Sequence, residues 1–303
     1  MRIIFAGSGE FGLPTLKRLV EAGHEIVSVV TQPDRPAGRG KKLTPTPIAA
    51  FAEARGLTPL KTGDINKEQL PAADVMVVIA FGQKIGPHIV DHPRLGSVNL
   101  HASLLPKFRG AAPINWAIVR GETLTGNSVI RLAQRMDAGA ILGQSQLAIG
   151  DLETAGELHD RLAEDGGPLV ERVLSQLSQG QAVEHVQDES QSTIAPKLNR
   201  QATHIDWNRP AAKIAHLIRG FYPWPGCRVK IVGDGEQLVT LVRARADSTS
   251  AEAGRISDSG AIGTGQGSLQ ILELQPAGKH PMTLTAYRNG HPWRAGARVE
   301  SVI

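Results

Sequence analysis

Arg2-Ile3-Ile4-Phe5-Ala6 runs directly into Gly7-Ser8-Gly9-Glu10-Phe11-Gly12, after which Phe11–Glu21 carries apolar residues at helical spacing. A short apolar run, a glycine turn and an amphipathic helix make one strand–helix unit, and the pattern repeats outward from it. Strands are predicted at Arg2–Ala6, Glu25–Thr31, Asp74–Ala80 and Ser97–His101. Thr46-Pro47 supplies a capping hydroxyl and a first-turn proline for a helix to Arg55. Val129–Leu132 and Ile141–Ile149, on either side of a turn at Asp137-Ala138-Gly139, extend the sheet, and a long amphipathic helix covers roughly Thr154–Ser178. This alternation predicts an α/β domain over 1–182, a doubly wound, Rossmann-like parallel sheet with ligands at the carboxyl ends of its strands.

Residues 183–203 are polar, weakly periodic and poor in aromatics, the composition of a linker. Beyond them the pattern changes. A short helix at Ala211–Arg219 precedes β-type runs at Arg228–Val232, Leu238–Arg243 and Leu269–Leu274, broken by turns such as Gly233-Asp234-Gly235. Residues 204–303 therefore read as a small antiparallel, OB-like β-barrel.

The 303 residues are 41% hydrophobic and 20% charged, the balance of a globular chain rather than a disordered one. No apolar run approaches the roughly 20 residues that cross a bilayer, and Met1–Gly7 has no signal-peptide layout. Cys227 is the sole cysteine, which excludes an internal disulfide and argues against a thiolate metal site. A cytoplasmic protein that binds no metal and no membrane is expected. The charge is uneven: residues 1–203 hold 21 basic and 21 acidic side chains, residues 204–303 hold 12 and 8, so the +4 excess lies entirely in the last third. That is compatible with a solvated surface or with a platform for a polyanion.

Gly7-Ser8-Gly9-Glu10-Phe11-Gly12 matches the dinucleotide fingerprint G-x-G-x-x-G. A nicotinamide site also needs an acidic residue at the end of the second strand. That strand ends Val29-Val30-Thr31-Gln32-Pro33, with Asp34 only beyond the proline. The glycines read instead as a tight turn that lets a ligand approach the backbone.

The chemistry concentrates in Ser97-Val98-Asn99-Leu100-His101-Ala102-Ser103-Leu104-Leu105-Pro106-Lys107-Phe108-Arg109-Gly110-Ala111-Ala112-Pro113. Asn99 and His101 lie two apart near a strand end, so they share a face. An amide donor beside an imidazole can stabilise a developing oxyanion and handle a proton, and Asp137 can supply a carboxylate to orient the ring or relay a proton.

Asn99–Pro106 followed by Arg109-Gly110-Ala111-Ala112-Pro113-Ile114 resembles the signature of the folate-dependent formyltransferases. The resemblance implies attack by an amine on the formyl carbon of 10-formyltetrahydrofolate, without a metal or a covalent enzyme intermediate. By that likeness Asn99 donates to the carbonyl oxygen, His101 stabilises the tetrahedral intermediate and moves protons, and Asp137 holds His101 and a water. Ser103, Leu104, Leu105 and Pro106 match the loop that contacts the folate. Ile79, Ala80, Phe81 and Gly82 match the wall that holds the pterin through backbone groups.

Three further stretches resemble the family members that formylate methionyl-tRNA. Thr31-Gln32-Pro33-Asp34-Arg35-Pro36-Ala37-Gly38-Arg39-Gly40-Lys41-Lys42-Leu43 resembles their basic loop, expected to be mobile until it orders on acceptor-stem phosphates. Arg35, Arg39, Lys41 and Lys42 are its expected contacts, and Phe11 is the expected contact for the methionine side chain. Ile205-Asp206-Trp207 with Ile218–Gly226, and Leu274–Lys279 with Met282, resemble their C-terminal barrel. The aromatics Phe221, Tyr222 and Trp224 are expected to pack in the core or between domains rather than to stack on bases. Where those relatives carry a Gly-Leu-Asp-Thr-Gly run after the aspartate, this chain reads Asp137-Ala138-Gly139-Ala140-Ile141-Leu142-Gly143-Gln144, closer to members acting on sugar nucleotides and ribonucleotides. The resemblance implies a monomer whose partners are initiator methionyl-tRNA and a folate, with formylation of an amino-sugar nucleotide as the alternative.

Overall fold

Strand β1 (Arg2–Gly7) is buried at every position from Ile3 onward, which puts it in the middle of a sheet covered on both faces. The structure is a computed structural model that describes residues 1–37, 40 and 42–303. In chain order β1 is followed by α1 (Leu13–Glu21), β2 (Glu25–Thr31), β3 (Arg35–Ala37), β4 (Lys42–Thr44), α2 (Pro47–Ala54), β5 (Leu60–Lys61), β6 (Val75–Ile79) and α3 (Pro87–Val90). Next come β7 (Ser97–His101), β8 (Arg109–Gly110), α4 (Pro113–Arg120), β9 (Leu124–Arg131), β10 (Ile141–Ala148) and α5 (Ala155–Ser178).

The main sheet has the order β10-β9-β7-β6-β1-β2-β5. Strands β7, β6, β1, β2 and β5 pair in parallel, so their carboxyl ends open on one edge. Strand β9 is antiparallel to β7, so the parallel arrangement ends there. It also begins at Leu124, five residues before the apolar run that marks it in the sequence. Thr125, Asn127 and Ser128 are buried polar residues, and they conceal the strand from a hydrophobic pattern. Each such group needs a partner: Asn127 Nδ2 donates to Leu162 O and Asp165 Oδ2, both at 2.9 Å, and Ser128 Oγ donates to Ser103 O at 2.6 Å.

Local chemistry accounts for the helix starts. Thr46 accepts from the Ala49 amide at 3.1 Å with Pro47 in the first turn of α2. Thr154 and Glu157 cap α5 reciprocally, the Glu157 carboxylate accepting from the Thr154 amide at 2.8 Å and from its hydroxyl at 2.9 Å.

Two compact units result: Met1–Gly110, Gly126–Leu147 and His159–Ile194 form one, and Ala111–Thr125, Ala148–Leu158 and Ala195–Ile303 form the other. The second contains α6 (Ala211–Gly220) after the short β11 (Ile194–Ala195), then β12 (Cys227–Gly233), β13 (Gly235–Asp247), β14 (Ile262–Gly263), β15 (Ser268–Pro276), β16 (Met282–Thr283), α7 (Leu284–Arg288) and β17 (Arg298–Val302). Its antiparallel sheet has the order β14-β15-β13-β12-β17, with β16 also on β15. Bridges from Ile256 to Ile262 and from Arg255 to Arg298 draw the two edges together, leaving a nearly closed barrel. Strand β13 runs four residues past the predicted end at Arg243. Irregular register around Val242 puts consecutive Leu241 and Val242 inside, which breaks the alternation by which a strand is read. Phe221 lies in the barrel core, edge-on to Trp116 at 5.6 Å. Trp224 departs from the packing expected of it: between Pro223 and Pro225 it stands 58% exposed.

In this second unit Arg243 binds Glu157 at 2.9 Å and holds its carboxyl down at about 2. A carboxylate whose folded value lies below its unfolded one stabilises the fold above the unfolded value, and that contribution disappears as pH falls through the folded value. Glu157→Gln is therefore expected to destabilise the chain at pH 6 and to become progressively indistinguishable from the parent between about pH 4.5 and 2, measured by urea midpoints. A constant difference over that range would show that the pair does not titrate as described.

Candidate functional site

Strand β7 ends at the opening edge of the sheet. Asn99 sits there with Val78 of β6 on one side and Ile130 of β9 on the other, and His101 lies two residues on, opposite Ser128. Among the described residues the half-buried Asn99 amide makes no hydrogen bond, so its donors remain available. The His101 ring is 7% exposed, and its Nε2 lies 2.9 Å from the Phe108 carbonyl. A carbonyl only accepts, so Nε2 carries a proton. Nδ1 faces Asp137 Oδ2 at 3.6 Å, beyond direct hydrogen-bond range. The ring is thus oriented by the Phe108 backbone, and its Nδ1 is turned toward a carboxylate.

Asp137 reaches this place from the turn between β9 and β10. Its Oδ2 accepts from the Gly110 amide at 2.8 Å. Its backbone is left-handed, φ 52°. The other described non-glycine residues with positive φ are Phe108 (61°) and Ala80 (45°). All three lie in the loops around the end of β7, where strained backbone is held by its surroundings.

The neighbouring loops are fastened to each other. Ser8 Oγ accepts from the Gln32 amide at 3.1 Å and donates to the Phe81 carbonyl at 3.3 Å, while Gln32 Nε2 donates to the same carbonyl at 2.8 Å. Glycine is required at position 7, where a Cβ would meet the Ile79 carbonyl oxygen at 2.9 Å and the Phe5 ring at 2.8 Å. Within the Gly7–Gly12 fingerprint, the first glycine is therefore required by packing.

The other expected contacts fall into three groups. Ile79 and Phe81 are buried core residues, and Gly82 follows with φ 78°, so these positions offer backbone rather than side chain. In the next loop Ser103 is fully buried and donates to the Lys107 carbonyl at 2.7 Å, Leu105 is buried with its amide on Ser128 Oγ at 3.1 Å, and Leu104 and Pro106 are half-buried. Phe11 is 7% exposed and stands edge-on to His159 at 5.3 Å. Within the basic stretch β3 and β4 pair as an antiparallel ribbon from Arg35–Thr44 to Ala37–Lys42. Arg35 and Lys42 are exposed on it, with Arg35 Nη2 donating to Gln32 Oε1; Arg39 and Lys41 lie outside the described residues.

Gln187 and the side chain of Arg109 also belong to the site, with no mark of it in the sequence. Arg109 is 3% exposed, donates to Gln187 Oε1 at 2.7 and 3.0 Å, and pairs with both carboxylate oxygens of Glu189 at 2.9 and 3.0 Å. Gln187 in turn donates to the carbonyls of Asp137 and Gly139, both at 2.8 Å. A glutamine in a polar stretch gives no sequence signal for such contacts. Among the described residues no group of three or more His, Cys, Asp or Glu could hold a metal ion, and no helix is long and apolar enough to cross a membrane.

The sequence model described as formyl transferase matches residues 1–174, and that of the formyl transferase C-terminal domain matches residues 197–292. The chain is 42% identical over 308 residues to the methionyl-tRNA formyltransferase of Moorella thermoacetica, covering 98% of each chain. It is 38% identical over 306 residues to that of Geobacter sulfurreducens, covering 99% of this chain and 96% of the relative. It shares a fold with the sugar 3N-formyl transferase WlaRD, with a TM-score of 0.68, 18% identity, and coverage of 92% of this chain and 99% of that one.

The Asp137 turn has no room for a side chain at Gly139, where a Cβ would lie 1.9 Å from the Arg131 carbonyl oxygen. Gly139→Ala is expected to displace the turn and cost roughly 1–3 kcal/mol, measured as a lowered urea midpoint with an unchanged slope. An unchanged midpoint would mean that the turn relaxes freely.

Proposed function

The chain belongs to the formyl transferase family, and on that premise we propose that it moves the formyl group of 10-formyltetrahydrofolate onto the α-amine of methionine carried by initiator tRNA. The observation that carries this reading is the meeting of Asn99, His101 and Asp137 at one strand end, in a chain about 40% identical along its whole length to relatives named for that reaction. The folate supplies an activated formyl carbon, and these residues supply what its transfer to an amine requires.

Asn99, unpaired among the described residues, offers its amide hydrogens to the formyl oxygen, which gains negative charge as the amine nitrogen bonds to the carbon. His101 takes the proton the amine must lose. Its Nε2 is already committed to the Phe108 carbonyl, so the proton goes to Nδ1. Asp137 Oδ2, 3.6 Å from that nitrogen, then faces an imidazolium and stabilises it. The bond from the formyl carbon to the folate nitrogen breaks, and that nitrogen recovers a proton. The backbone of Ile79, Phe81 and Gly82 and the loop Ser103, Leu104, Leu105 and Pro106 form the folate wall. Phe11 meets the methionine side chain.

Arg35 and Lys42, with Arg39 and Lys41, hold the acceptor-stem phosphates. Residues 1–182 act as the catalytic domain, 183–203 as linker and 204–303 as the tRNA-binding barrel of a cytoplasmic monomer. The Asp137-Ala138-Gly139-Ala140 turn supports a second reading, in which the acceptor is an amino-sugar nucleotide.

Formyl transfer from 10-formyltetrahydrofolate to initiator Met-tRNA, elongator Met-tRNA and an amino-sugar nucleotide separates the two. Transfer confined to the initiator is expected; transfer to the sugar nucleotide alone would replace the acceptor while leaving the chemistry. Asn99→Ala is expected to lower kcat by roughly 10²–10³, and near-normal turnover would remove Asn99 from its role. Lys42→Ala is expected to reduce the salt dependence of tRNA binding by about one phosphate contact without altering folate binding.

A further inference from the structure

Asp137 holds its carboxylate beside His101 from a left-handed backbone that an aspartate adopts only at a cost. Something must keep the turn there, and the contacts identify it. Gln187 Nε2 donates to the Asp137 carbonyl and to the Gly139 carbonyl, both at 2.8 Å, spanning the turn from behind. Its Oε1 accepts two donors from Arg109, at 2.7 and 3.0 Å. Gln187 is 6% exposed and Arg109 is 3% exposed, so both are largely removed from bulk solvent. The amide has one satisfactory orientation: its oxygen meets guanidinium hydrogens and its nitrogen meets carbonyl oxygens. Glu189 completes the set by pairing with the far side of Arg109.

The circuit closes through the backbone. Gly110, next to Arg109, donates its amide to Asp137 Oδ2 at 2.8 Å. Asp137 is thus contacted twice from this segment, on its carboxylate by the Gly110 amide and on its carbonyl by Gln187, which is itself bonded to Arg109. We infer that Gln187 is a positioning residue, which sets the distance between the Asp137 carboxylate and His101 Nδ1 by clamping the carbonyls of Asp137 and Gly139 to the buried Arg109. The inference rests on the catalytic reading of Asp137 given above and extends it to a residue that touches no substrate.

The test is Gln187→Met, which keeps length and apolar volume and removes both halves of the amide. A displacement of about 1 Å at the reacting groups is worth up to 10²-fold in rate. The variant is expected to lose 10- to 100-fold in kcat with KM for the formyl donor within twofold. In an Asp137→Asn background the same change is expected to cost less than twofold, because residues acting through one another are not additive. Exchange of the Gly110 amide hydrogen, followed by NMR in the full chain, reads the turn without reference to activity and is expected to accelerate. Unchanged Gly110 exchange, or an equal loss of kcat in both backgrounds, overturns the inference. If Asp137→Asn keeps parental turnover, the catalytic reading fails, and the Gly110 exchange alone decides the positioning. Should Gln187→Met not fold, Gln187→Glu retains two acceptors for Arg109 and lacks the donor for the carbonyls. It must then show the same loss of kcat, and parental turnover in it overturns the inference.

Discussion

A guanidinium on a side chain that is 3% exposed needs acceptors within the fold. Burying an unpaired cation costs several kcal/mol, and Arg109 meets the requirement with Gln187 and both oxygens of Glu189. The consequences spread along both partners. Residues 187–193 are drawn against residues 108–110, with Thr193 Oγ1 accepting the Phe108 amide at 2.9 Å and the Thr193 carbonyl accepting the Arg109 amide at 2.8 Å. Phe108, so held, aims its carbonyl at His101 Nε2, and Gly110 aims its amide at Asp137. The segments that meet at this buried charge are the ones that present the Phe108 carbonyl to His101 and the Gly110 amide to Asp137.

This arrangement explains why strain gathers where it does. Ala80, Phe108 and Asp137 adopt left-handed backbone with a Cβ present, at roughly 1–2 kcal/mol each. A loop in solvent would relax. Here Phe108 is fixed by Thr193 and His101, Asp137 by Gly110 and Gln187, and the carbonyl of Phe81, next to Ala80, by Ser8 and Gln32. Asn99 differs from these residues: among the described residues its half-buried amide makes no hydrogen bond.

The elements legible in the sequence are those whose residues obey a period. Continuous apolar runs at β1 and β6, helical spacing in α1 and α5, and the Thr46-Pro47 cap all translate directly into structure. Strand β9 is half hidden because Thr125, Asn127 and Ser128 are buried polar residues, with partners for Asn127 Nδ2 and Ser128 Oγ supplied by distant segments. The tail of β13 is hidden because a register irregularity at Val242 interrupts the alternation. Trp224 shows the converse, an aromatic whose composition argues for burial but whose place between two prolines leaves it in water.

For the site, the sequence by itself determined the chemical inventory: Asn99 and His101 two apart on a strand necessarily share a face, and a short motif carries the family resemblance. Tertiary structure alone decided the orientation of the His101 ring, the approach of Asp137 from thirty-six residues away, and the recruitment of Gln187 from a stretch whose composition reads as linker. The physical reason is the range of the interactions. Periodicity and capping act between residues a few positions apart and leave a local pattern, whereas hydrogen bonds to a buried guanidinium or a backbone carbonyl depend on segments brought together by the fold, and any polar side chain of suitable length can make them.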